Sequence, residues 1–190
     1  MTHRERLLEL IRERSLETGD FVLASGQRSN YYVDCRRTTM FAEGQALIGQ
    51  LGWELLKASG LDPDSVGGLT MGADPVAYAL AYTSWLTGEP VNAFSVRKGV
   101  KEHGKQQRIE GCFEPGHRVV VIEDVITSGG SALDACSAVE GEGGEVLGVL
   151  AVLDREVGGR ASIEDNGYRV LSLFRVSELL SVQGSRPTTG

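Results

Sequence analysis

Hydrophobic and polar positions alternate with readable periods along most of the chain. Leu7, Leu8 and Ile11 share one side of a helix, and Thr2 with Glu5 can form a capping box at its start. Residues 20–34 read as a hairpin: Phe21-Val22-Leu23, a polar turn through Ser25-Gly26-Gln27-Arg28, then Tyr31-Tyr32-Val33. Residues 41–59 carry Leu47, Ile48, Leu51, Leu55 and Leu56 at helical spacing. Ser65 to Thr70 is a short strand, and Asp74-Pro75 opens a helix running to about Trp85, because proline costs no hydrogen bond in a first turn. Val91 to Val96 is a second strand, followed by a long polar loop over 97–110. Arg118 to Ile122 is a continuous apolar run, the mark of a strand buried on both faces. A helix over Gly129 to Glu140 and strands over Glu145 to Leu153 and Tyr168 to Leu173 complete the pattern.

Strands alternating with helices predict an α/β fold with a central, mainly parallel sheet flanked by helices. No internal repeat or linker divides the chain, so a single domain over residues 1–182 is expected, with a flexible polar tail over 183–190.

Composition narrows the function classes. The 190 residues carry a net charge of −7, which disfavours nucleic acid as a partner. The one basic cluster, Arg97 to Arg108, is too short for a duplex footprint and suits a small, highly charged anion. Cys35, Cys112 and Cys136 are widely spaced and form no metal-binding or disulfide pattern, which fits a reducing cytoplasm. No stretch reaches the roughly 18 apolar residues of a membrane span. Charges interrupt the N-terminal apolar positions, unlike a secretory leader.

The segment from Arg118 to Ser131 holds the densest chemistry. A buried strand ends in Glu123-Asp124, and a loop of hydroxyls and glycines then leads into a helix. The carboxyl ends of strands form the ligand crevice of open α/β sheets. A helix N-terminus offers amides and a favourable dipole to an anion. Thr127, Ser128 and Ser131 add hydroxyls, and Gly129-Gly130 lets the backbone curl around a phosphate. Two acids would repel that phosphate, so they call for hydroxyls or a cation. Ribose 5-phosphate satisfies both halves. The glycine patterns of dinucleotide-binding and Walker A loops are absent.

The block VVVIEDVITSGGS resembles the phosphoribosyl pyrophosphate (PRPP) signature of type I phosphoribosyltransferases. Arg97-Lys98-Gly99-Val100-Lys101-Glu102-His103-Gly104 resembles the mobile catalytic loop of the orotate phosphoribosyltransferase family. Asp154-Arg155-Glu156 matches the place where that family grips the orotate carboxylate with Arg, and Ser29-Asn30-Tyr31-Tyr32 resembles its N-terminal hood. The matches span roughly residues 20 to 160. The chain departs from the family at Ala24 and in the Met71-Gly72-Ala73-Asp74 loop, where members often carry Lys, and its acid pair is Glu-Asp where the signature has Asp-Asp.

The resemblance implies the type I fold with a hood over about 1–37 and a core over about 38–182. It implies transfer of the phosphoribosyl group from PRPP to orotate, giving orotidine 5′-phosphate and pyrophosphate. Lys101, His103 and Asp124 would be catalytic. PRPP would meet Arg97, Lys98, Lys101 and His103 from the loop, and Glu123, Asp124, Val125, Ile126, Thr127, Ser128, Gly129, Gly130 and Ser131 from the signature. Thr127 and Arg155 would position orotate, and Mg²⁺ would be held mainly through substrate and water. A homodimer with shared active sites, and neither nucleic acid nor membrane as a partner, completes the expectation. Two rivals stay open: a transferase for another nucleobase, and a regulator that senses PRPP without reacting.

Overall fold

A computed structural model describes residues 1–22, 26, 28–99 and 108–181. Ala24, Lys101, His103 and the tail over 183–190 lie outside the described residues.

The element order is α1 (His3–Arg14), β1 (Leu16–Val22), β2 (Arg28–Val33), α2 (Arg36–Thr39), α3 (Ala42–Ser59), β3 (Ser65–Leu69), α4 (Ala73–Leu86), β4 (Asn92–Val96), β5 (Ile109–Gly111), β6 (Arg118–Ile126), α5 (Gly130–Gly141), β7 (Glu145–Asp154), α6 (Gly159–Asp165), β8 (Val170–Arg175) and α7 (Val176–Leu180). The six-stranded sheet runs β5-β4-β3-β6-β7-β8. All its pairings are parallel except that of the edge strand β5. β1 and β2 form a separate antiparallel ribbon.

The helices cover the sheet on both faces, because buried strands need cover on each side. One core joins Leu7, Leu10 and Ile11 of α1 to Ile48 and Leu56 of α3 and Leu80 of α4. The other packs Ala135 and Val139 of α5 and Ile163 of α6 against Val119 and Val121. The capping box of α1 forms as expected: Thr2 Oγ1 accepts from the Glu5 amide at 3.2 Å, and Glu5 Oε2 accepts from the Thr2 amide at 2.7 Å.

From β3 the chain moves outward to β4 on one side, then returns to place β6 on the other. The crossover direction therefore reverses between β3 and β6. In an open α/β sheet that reversal parts the loops at the strands' carboxyl ends and leaves a crevice.

One expectation is corrected. The strand does not stop at Ile122: β6 continues to Ile126, so Glu123 and Asp124 lie within it. Its pairing to β3 ends at Gly67↔Val121, whereas its pairing to β7 continues to Ile126↔Asp154. Past Val121 the strand is paired with β7 alone, and the acids lie on this stretch. Tryptophan placement divides: Trp53 is buried, and Trp85 is exposed.

Candidate active site

A cavity of about 590 Å³ opens at the switch point, lined from both sides of the reversal. Thr70, Met71 and Gly72 reach it from the loop after β3, and Glu123, Asp124, Val125, Thr127 and Ser131 from β6 and the start of α5. Lys98 and Arg155 complete the predicted residues on its wall. Thus residues separated by more than fifty positions in sequence meet around one void.

The remaining predicted residues fall elsewhere. Ile126 is buried in the second core, and its carbonyl accepts from the Arg155 amide at 3.0 Å. Ser128 and Gly129 form the bend beside the cavity and Gly130 opens α5; Gly129 has φ 84° and an added Cβ would lie 2.8 Å from the Gly159 carbonyl oxygen, so only glycine fits. Arg97 lines a neighbouring cavity with Ser95, Gly99 and Glu110, and donates to Glu110 at 3.2 Å. Lys98 borders both cavities.

Burial dominates the electrostatics of the acid pair. Glu123 is 8% exposed. Loss of solvent, reinforced by the charge of Asp124, pushes its carboxyl up to about 8. Burial also raises Asp124, against the opposing hydrogen bonds it accepts. One of these is from the Val125 amide at 2.9 Å. An added Cβ on Gly72 would lie 2.5 Å from Asp124 Oδ1, so glycine lets the β3 loop close on the carboxylate. Two carboxyls held this way accept hydrogen bonds from a diol or partner a cation. Among the described residues no cluster of three or more His, Cys, Asp or Glu could cage a metal. The donor set does fit Mg²⁺, which takes a few carboxylate oxygens and completes its shell with substrate phosphates and water.

Arg155 is 9% exposed, and its Nε has no hydrogen-bond partner. Its guanidinium sits 5.1 Å from the centre of the Tyr31 ring in the β1–β2 ribbon. A desolvated guanidinium on a cavity wall suits a planar carboxylate.

Sequence reasoning placed Tyr32 in the hood by resemblance but missed Asp34, Cys35 and Arg36. Tyr32, Asp34, Cys35 and Arg36 reach the cavity from the end of β2 and the start of α2. Arg36 is clamped by Asp34 through bonds of 2.8 and 3.1 Å. The adjacent Asp-Cys-Arg was a visible signal, a charge pair at a strand end. Arg108, read within the anion-binding cluster, serves the fold: it pairs with Asp134 at 2.7 and 3.0 Å and donates to the Arg97 carbonyl at 3.1 Å. Both feet of the polar loop are thereby tied together, since the Arg97 amide donates to the Arg108 carbonyl at 2.8 Å. The departure at Asp74 is also explained locally. Its carboxylate accepts from Thr70 Oγ1 at 2.6 Å and from Ser95 Oγ at 2.7 Å, bracing the β3 loop against β4.

The chain is 50% identical to the orotate phosphoribosyltransferase of Aquifex aeolicus over 183 residues, covering 95% of this chain and 99% of that one. The chain belongs to the orotate phosphoribosyltransferase family. The Mycobacterium tuberculosis orotate phosphoribosyltransferase is 46% identical over 176 residues, covering 93% of this chain and 96% of that protein. Its crystal structure in complex with PRPP matches with a TM-score of 0.80 and 43% identity, covering 94% of this chain and 99% of that one. An adenine phosphoribosyltransferase from Leishmania donovani matches at a TM-score of 0.61 and 17% identity, covering 97% and 86% of the two chains, and shares the fold alone. No family model matches the chain. At these identities an orotate phosphoribosyltransferase is the supported reading, ahead of a transferase for another base or a PRPP-sensing regulator.

Proposed function

We propose that this cavity transfers the 5-phosphoribosyl group from PRPP to orotate, releasing orotidine 5′-phosphate and pyrophosphate. The observation that carries the reading is the meeting of the acid pair, the hydroxyl-rich start of α5 and a desolvated arginine around one void.

The 5-phosphate docks on the loop of Thr127, Ser128, Gly129, Gly130 and Ser131, through amides at the α5 N-terminus and the hydroxyls. Val125 and Ile126 bring the backbone to that loop. Glu123 and Asp124 hold the ribose diol, directly or through water on Mg²⁺. When bound, Mg²⁺ offsets the negative charge of the pyrophosphate. Arg155 receives the orotate carboxylate in its planar fork, and Thr127 orients the base. As the bond at ribose C1 breaks, charge builds on the departing pyrophosphate and an oxocarbenium-like centre forms on the sugar. The chain's work is orientation and charge stabilisation. Arg97, Lys98, Lys101 and His103 stabilise the leaving group, and the loop carrying them closes over the site to exclude water.

The β1–β2 ribbon acts as the hood, with Tyr31 against Arg155. The functional unit is a homodimer with shared active sites. Support comes from α4, where Tyr78, Tyr82, Trp85 and Leu86 follow helical spacing and are each more than half exposed, an apolar stripe suited to a second copy. Among the described residues no helix is long and apolar enough to cross a membrane. The three free cysteines suit the cytoplasm as the working compartment.

The test supplies PRPP, Mg²⁺ and each nucleobase in turn, and follows loss of base and release of pyrophosphate. Turnover with orotate alone is expected. Turnover with a purine, or with no base, contradicts the proposal.

A further inference from the structure

Directly behind Arg155 of the cavity wall lies a buried charge pair that does not itself line the cavity. Asp154, the last residue of β7, is 2% exposed. A carboxylate so buried is costly to desolvate without a partner. Its partner is Arg160 on α6, whose Nε donates to Asp154 Oδ2 at 2.7 Å. Arg160 is itself fixed on three further sides. Its Nη1 donates to the Val170 carbonyl at 2.8 Å and to Glu164 Oε1 at 3.4 Å, and its Nη2 donates to Ser172 Oγ at 2.8 Å.

The second oxygen of Asp154 has a different task. Oδ1 accepts from the Glu156 amide at 2.8 Å, closing a turn with Arg155 at its centre. Glu156 adopts φ 56°, a left-handed conformation uncommon for a residue with a side chain. The surroundings impose it: the Glu156 carboxylate also accepts from the Ser177 amide at 2.8 Å, at the start of α7. On the other flank the Arg155 amide is tied to the Ile126 carbonyl at 3.0 Å. Arg155 therefore projects from a turn pinned to β6, α6, β8 and α7, and its own Nε is left without a partner.

We propose that Arg160 is a positioning residue for orotate binding, acting through the Asp154 carboxylate to hold the Arg155 turn. The inference rests on the assignment of Arg155 to the orotate carboxylate. A fork must meet both carboxylate oxygens together, so small rotations of the turn weaken binding. A point charge at position 160 keeps Asp154 neutralised and loses the geometry, because lysine cannot reproduce the three-sided anchoring.

The experiment is a double-mutant cycle with Arg160→Lys and Arg155→Ala, read as KM for orotate and KM for PRPP. The uncharged pair Asp154→Asn with Arg160→Gln is the second background, since it leaves no unpaired buried charge if Arg160→Lys fails to fold. The expected result is a rise of about tenfold in KM for orotate in either background, with KM for PRPP within about twofold of the parent. Added to Arg155→Ala, the Arg160 change should raise KM for orotate no further. Three outcomes overturn the inference: an unchanged KM for orotate, an equal rise for both substrates, or a full additive effect on top of Arg155→Ala. If Arg155→Ala alone leaves KM for orotate unchanged, the assignment of Arg155 itself is wrong, whatever Arg160 does.

Discussion

The two ends of the cavity are built in opposite ways. At the end proposed for orotate, Arg155 stands on a turn with buried anchors, and the residue is only 9% exposed with no ligand bound. At the end proposed for pyrophosphate, the loop after β3 is braced by hydroxyls on Asp74, Lys98 is exposed, and Met71 is 57% exposed. On the proposed reading, one end is a preformed socket for a small rigid base. On the same reading, the other admits a flexible polyanion. A fork aimed in advance costs little ordering on binding.

That contrast predicts where substitutions bite. The largest effect is expected at the junction of the ends: Asp124→Asn should lower kcat/KM by roughly 10³-fold, because it removes charge from the diol and cation position. Steady-state rates at saturating Mg²⁺ check this, and a loss below about fivefold would detach the acid pair from the reaction. Next, from the proposed role of Lys101 on the leaving group, Lys101→Ala should lower kcat by about 10²-fold with thermal unfolding unchanged. An unchanged kcat would remove the loop from the mechanism.

A smaller and sharper effect is expected at Asp74. If the family's usual lysine matters here only for its charge, Asp74→Lys should tighten PRPP. The hydroxyl brace predicts the reverse, a rise of about fivefold in KM for PRPP with KM for orotate little changed. Substrate-by-substrate kinetics decide between the two.

The smallest effect concerns protons. Glu123 holds its proton up to about 8 in the folded state, against an ordinary value of 4.5. Between those values the folded chain binds a proton that the unfolded chain has released, so this group's contribution to stability falls as pH rises through the window. Glu123→Gln should therefore melt about 3 °C or more above the parent near pH 8.5, and level with it near pH 5. A gap independent of pH would mean that Glu123 is not the titrating group.

Much of the fold was readable because long elements declare their period. RVVVI reads as a buried strand, and α3 and α4 show their helical spacing. Short elements did not: α2, β5, α6 and α7 hold between three and seven residues, too few for a period to show. The end of β6 was misread because Glu123 and Asp124 look like a loop, and only pairing with β7 keeps them in the strand. The candidate site was readable where it is contiguous, from Glu123 to Ser131, and where a motif matched, at Arg155. Its other wall was readable only in part. The Met71 to Asp74 loop was singled out only by the family resemblance, and Asp34 to Arg36 not at all; both meet the acids through the reversal between β3 and β6, which no local pattern encodes. Arg108 carries the same charge as its neighbours in the basic cluster, and its pairing with Asp134 becomes visible only in three dimensions.

The central claim is that PRPP lies along the switch-point cavity with its phosphate on the α5 N-terminus and its diol on the acid pair. A crystal structure of this chain with PRPP and Mg²⁺ tests it most directly. The account predicts the 5-phosphate oxygens within hydrogen-bonding distance of amides in the 127–131 loop, and the ribose hydroxyls facing Glu123 and Asp124. A sugar bound away from those carboxyls, or a phosphate bound away from that loop, would contradict it.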